Sequence, residues 1–177
     1  MFDTFFGLPL HPLVIHAVVI GAPLTAVMVI AYAVSARFRA WSGWLTAAIG
    51  TLTLVAAFVA TSSGEALEKR VGESSVVEEH AQWGGTIPWV VLAVTALAWA
   101  MWFLLRRRAG TGAPAATERR GAEVGAVDTT GVFKIVAALA VVAAIVLAVD
   151  VSIVGHLGAE AVWQDTASQS ASSGDSD

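Results

Sequence analysis

VFKIVAALAVVAAIVLAVDVSIVG, residues 132–155, decides the fold. Its 24 residues carry two charges, Lys134 and Asp150, and apart from Phe133, Ser152 and Gly155 otherwise run in Ala, Val, Ile and Leu. A helix needs about 20 predominantly apolar residues to cross a hydrocarbon core of about 30 Å. A barrel strand would alternate polar and apolar residues over about ten positions, which this stretch does not do. It therefore reads as a transmembrane helix. Three similar stretches precede it, at 12–36, 43–62 and 86–105. Together they predict an all-α, four-helix transmembrane bundle within residues 1–163.

The composition agrees. Of 177 residues, 56% are hydrophobic and 14% charged, and the mean hydropathy is +0.72. A soluble domain carries charge on about a quarter of its residues. The first apolar run has no basic residue before it and is longer than the core of a cleavable signal, so it reads as an uncleaved anchor.

Basic residues set the expected orientation. Arg37 and Arg39 separate spans one and two, while Arg106, Arg107, Arg108, Arg119, Arg120 and Lys134 separate or flank spans three and four. The positive-inside rule makes those connections cytoplasmic and puts both termini on the outer side of a bacterial plasma membrane. The outer segments hold most of the acid, so the net charge of −4 adds a basic inner rim to an acidic outer one. That pattern argues against a nucleic-acid partner. Cysteine is absent, which excludes disulfides, iron–sulfur clusters and thiolate ligation of haem.

Between the spans, Ser62 to Gly85 reads as an outer loop whose first part, Gly64 to Arg70, forms a short helix lying over the outer face. The cap-like Ser74-Ser75 starts the third helix near Val76. Residues 109–131 read as a flexible cytoplasmic linker, and 164–177 as a disordered outer tail. Tryptophans 41, 44, 83, 89, 102 and 163 stand near span ends, where an indole anchors at the membrane interface.

On this topology the four histidines, His11, His16, His80 and His156, all reach the outer face. Imidazole is the side chain most used to bind haem iron and other borderline metals, so the cluster is the candidate site. His11 precedes Pro12 at the start of the first helix. His16 lies about 7.5 Å deeper and roughly 140° around it, so the two do not bind one metal from a straight helix. His156 is flanked by Gly155 and Gly158, which admit a flat ligand, and Glu160 one turn on can orient its ring. Asp150, about 9 Å further into the bilayer, is paired by depth with His16, or is protonated or hydrogen-bonded to Ser152 or Thr61. Each histidine taken singly also reads as an ordinary helix-end residue.

The residues Leu10-His11-Pro12-Leu13-Val14-Ile15-His16, Gly64, His80 and Gly155-His156-Leu157-Gly158-Ala159-Glu160-Ala161-Val162-Trp163 resemble those of DUF2231, a bacterial family of unknown function. The resemblance covers about residues 8–163 and implies a four-span membrane protein, without implying an activity. Ala159 stands where the pattern often has a second glycine, and Gln164-Asp165 where a His-Gly often follows the closing aromatic.

Three functions compete. The bundle binds haem b through two of His16, His80 and His156, with His11 placed last by position, and passes electrons to a redox partner. Alternatively, the same histidines with Glu65, Glu79 or Asp150 hold zinc, copper or iron directly, or handle ions. Third, the chain is an accessory subunit or homo-oligomer packed through small residues. No nucleophile elbow or phosphate loop is present, so an enzymatic role would be electron transfer of the oxidoreductase kind rather than hydrolysis or group transfer.

Overall fold

The computed structural model describes residues 4–5, 8–71, 75–110 and 129–173. Two-residue strands β1 (Thr4–Phe5) and β2 (Leu8–Pro9) pair antiparallel ahead of the first helix. Six helices follow among the described residues: α1 (Leu10–Val34), α2 (Ala36–Ser42), α3 (Leu45–Val71), α4 (Ser75–Gly84), α5 (Ile87–Gly110) and α6 (Thr129–Ser173). Four of the helical segments are long and apolar enough to cross a membrane: His11–Val34, Leu45–Leu67, Ser75–Arg108 and Thr130–Glu160.

The four long helices form a square in which α1 and α5 each pack against both α3 and α6. α1 and α5 thus stand on one diagonal, α3 and α6 on the other, and α4 lies on α6. The helices meet through small residues, with Ala22, Ala140 and Ala144 fully buried and Ala26, Ala47 and Ala57 nearly so, while Val29, Val91, Val94, Met101 and Leu147 fill the space between them. Many other large aliphatic side chains point outward, with Leu52 71% and Ile20 68% exposed. In water so much outward apolar surface would be inside out. In lipid, where tails are as apolar as leucine, helices associate by close packing of small residues instead. The chain is a multi-pass membrane protein.

Among the described residues, buried Ser and Thr hydroxyls are bonded locally or across the bundle, except that of Thr95, whose Oγ1 has no partner. Thr25 and Thr53 bond to each other at 3.1 Å between α1 and α3, and Thr51 donates to the Ala47 carbonyl of its own helix. At the arginine-rich end, Ser35 caps α2 by accepting from the Phe38 backbone N–H. Arg39 Nη1 donates to the Tyr32 and Ala33 carbonyls at 2.9 and 3.0 Å, satisfying orphan acceptors at the end of α1. Two guanidinium groups, those of Arg39 and Arg108, approach the Phe133 ring, at 5.3 and 5.7 Å from its centroid.

Several boundaries differ from the sequence expectations. The segment Gly64 to Arg70 is no separate helix lying over the face: it continues α3 without a break to Val71, since no proline interrupts it and the helix carries Gly64 in its interior. The third span is two pieces, α4 and α5, separated at Gly85-Thr86. Most of the expected linker, 111–128, lies outside the described residues, as does the end of the tail. The tail is helical through Ser173 where disorder was expected. The run from Gln164 to Ser173 contains neither glycine nor proline, so nothing local stops the helix that the span has nucleated.

Candidate functional site

At the histidine end the square opens into a cavity of about 530 Å³, within the size range of small-molecule and cofactor sites. Its walls are mostly apolar, with Ile15 and Val18 from α1, Ile87 from α5, and Val151 and Val154 from α6. Gly84, Gly85 and Gly155 leave room between them, and Thr61 and Glu65 add polar groups from α3.

Two histidines line this cavity, and they are held alike. His11, at the start of α1, directs Nδ1 to the Ala60 carbonyl of α3 at 2.8 Å. His80, on α4, directs Nδ1 to the Val154 carbonyl of α6 at 3.1 Å. A carbonyl only accepts, so Nδ1 carries the proton in both rings. In its neutral form each imidazole therefore keeps its lone pair on Nε2. This is the tautomer a metal-bound histidine uses when its other nitrogen is tied to a backbone oxygen.

Both rings also rest on a glycine one turn beyond their acceptor. A Cβ built on Gly64 would stand 3.0 Å from His11 Cε1 and 3.1 Å from Nδ1. On Gly158 it would stand 3.0 Å from His80 Cε1 and 3.3 Å from Nδ1. In each case Nε2 is 3.9 Å from that point, on the ring edge away from the helix. Glycine inside a helix costs about 1 kcal/mol relative to alanine. Here it makes room for the imidazole against the backbone.

The remaining candidates lie elsewhere. His16 is exposed and bonds through Nδ1 to the Pro12 carbonyl of its own helix at 2.6 Å. His156 is exposed, and neither it nor the half-buried Glu160 is among the cavity's lining residues. Glu65 is exposed yet reaches the cavity. Asp150 is 6% exposed, and its partner is not His16, Ser152 or Thr61. Thr86 Oγ1 lies 3.0 Å from Oδ1 and 2.9 Å from Oδ2, while Thr61 and Ser152 donate to the Ala57 and Ala148 carbonyls of their own helices. Thr86 directly precedes α5, and its carbonyl accepts from the Trp89 and Val90 N–H groups. The carboxyl thus stands at the positive end of that helix dipole.

The glycine seats and the two backbone acceptors carry no signal of their own in a single sequence. The one available trace is repetition: a histidine near the start of the first helix in each pair, and a glycine near the end of the second.

Among the described residues, no three His, Asp or Glu side chains converge to hold a metal ion. A family model described as predicted membrane protein (DUF2231) matches residues 7–171. No curated protein and no solved structure matches the chain.

Proposed function

The chain belongs to the DUF2231 family of predicted membrane proteins, and from that premise we propose that it binds haem b between His11 and His80 and carries electrons in the membrane. The observation that carries this reading is the matched pose of the two rings. Each has Nδ1 fixed by a backbone carbonyl, each is backed by a helical glycine, and both line one apolar cavity. Haem iron needs only two ligands beyond its porphyrin, and the imidazoles of His11 and His80, which line the same cavity, would supply them. A bare metal ion would need three or four protein ligands, and no such set converges among the described residues.

The residues of the chain then have distinct tasks. His11 and His80 would hold the iron, and the Ala60 and Val154 carbonyls fix the orientation and raise the basicity of their rings. The apolar walls exclude water, and Gly155 leaves the α6 wall open to a planar ring. The basic residues at the opposite end favour a cytoplasmic position for that end under the positive-inside rule, which would put the haem near the outer surface.

The test is a reduced-minus-oxidised visible spectrum of detergent-purified protein expressed with ample haem. A sharp α band, lost in His11→Ala and His80→Ala but kept in His16→Ala and His156→Ala, is the expected result. A featureless spectrum after haem supplementation would overturn the reading.

A further inference from the structure

Asp150 is a carboxyl group buried within the fourth span, with no salt-bridge partner among the described residues. Lys134 on the same helix is 16 residues away, about 24 Å by helix rise. The first cations of α5, from Arg106 on, are 20 residues beyond Thr86, about 30 Å. The titratable groups on the other elements around it are His11 on α1, Glu65 on α3 and His80 on α4, with His156 and Glu160 further along α6. Among the described residues, only Thr86 hydrogen-bonds the carboxyl.

Thr86 makes this an unusual pair. Its single hydroxyl lies within bonding distance of both carboxyl oxygens and, at 2.7 Å, of the Trp83 carbonyl. One hydroxyl has one proton to give. Two arrangements fit the same heavy-atom positions. With Asp150 ionised, the Thr86 hydroxyl donates to the carboxylate, and the α5 dipole favours the negative charge. With Asp150 neutral, its own O–H donates to Thr86 Oγ1, and the Thr86 hydrogen turns to the Trp83 carbonyl. That carbonyl also accepts from the Thr86 backbone N–H at 3.0 Å, so neither arrangement leaves it unpaired. The carboxyl can take or lose a proton by rotating a hydroxyl, with no atom heavier than hydrogen displaced.

This pair adjoins the cavity, since Gly85, Ile87 and Val151, the chain neighbours of Thr86 and Asp150, line it. Thr86 is exposed, so its hydroxyl links the buried carboxyl to the outside of the bundle. We propose that Asp150 is a proton-accepting site that takes up one proton when the cavity's occupant takes up one electron. The inference rests on the haem reading of that cavity. When a one-electron reductant supplies the electron to a bound haem, one proton from solvent would pass by way of Thr86 and convert the Asp150 carboxylate to the acid. The charge added in a poorly solvated site is cancelled within it, where an uncompensated charge is costly.

Two measurements test this. In haem-free protein, the infrared difference spectrum between acid and alkaline conditions should show a protonated-carboxyl C=O band. That band should vanish in Asp150→Asn and shift in Thr86→Val, which removes the hydroxyl partner. In haem-loaded protein, the midpoint potential should fall as pH rises, and Asp150→Asn should flatten that dependence while leaving the α band in place. A wild-type potential independent of pH, or a slope unchanged in Asp150→Asn, overturns proton coupling and leaves haem binding standing. Absence of a haem spectrum overturns both.

Discussion

The His80 imidazole lies so close to Gly158 that a methyl group there would stand 3.0 Å from its Cε1, and His11 bears the same relation to Gly64. Two helices thus give up side chains at the positions where rings from neighbouring elements press against them. The paired seats turn two otherwise ordinary helix-end histidines into oriented ones.

Alanine at Gly64 or Gly158 sets two effects against each other. Helix propensity alone would stabilise the protein by about 1 kcal/mol, but the added methyl must displace an imidazole. We expect each substitution to leave thermal stability unchanged or lower it, and to weaken haem retention at least tenfold. Thermal unfolding and haem titration in detergent, read side by side, check both signs.

Single loss of a ligand has its own signature. A haem held by both rings has no open axial position, so the wild-type protein is expected not to bind carbon monoxide in the reduced state. Any haem that His11→Ala or His80→Ala retains is five-coordinate and should bind it. Carbon monoxide difference spectra decide this, and equal binding by wild type would remove one of the two ligands from the assignment.

The spans were legible in the sequence, and the two glycine-backed histidines were not. In water, the apolar stripe of a helix announces the face it buries. In lipid both faces of α1 are apolar, so nothing in its composition signals how it is rotated. His16 therefore looked like the deep ligand because it lies within a span, yet it turns outward. His11 looked too shallow because α3 was expected to end near residue 62. Its continuation to Val71 carries the wall of the bundle two turns further and encloses His11. His156, set among glycines, drew attention to the right turn of α6, but it is Gly158, serving as the seat of a histidine from α4, that the site uses.

Thr86 tests the carboxyl contact as a structural element. Thr86→Val removes the hydrogen-bond partner of a group that is 6% exposed, and leaving such a group unpaired costs about 1–3 kcal/mol. Thr86→Ser keeps the hydroxyl and should recover most of that loss. Unfolding in a denaturing detergent series measures both.

Packing makes an opposite prediction for core and rim. Ala140→Leu or Ala144→Leu inserts methylenes where no space exists and should destabilise by about 1–3 kcal/mol. Leu52→Ala, at a position 71% exposed, should be nearly neutral in detergent or lipid. Equal effects at both positions would contradict the inside-out packing.

The packed centre gives the bundle two unlike ends. α1 runs for 25 residues, about 37 Å, yet His11 lies in its first turn, and beyond Val18 the interior is occupied by Ala22, Ala26, Val94 and Met101. The cavity therefore belongs to the histidine end alone, and a group seated in it would stand to one side of the bundle's midplane.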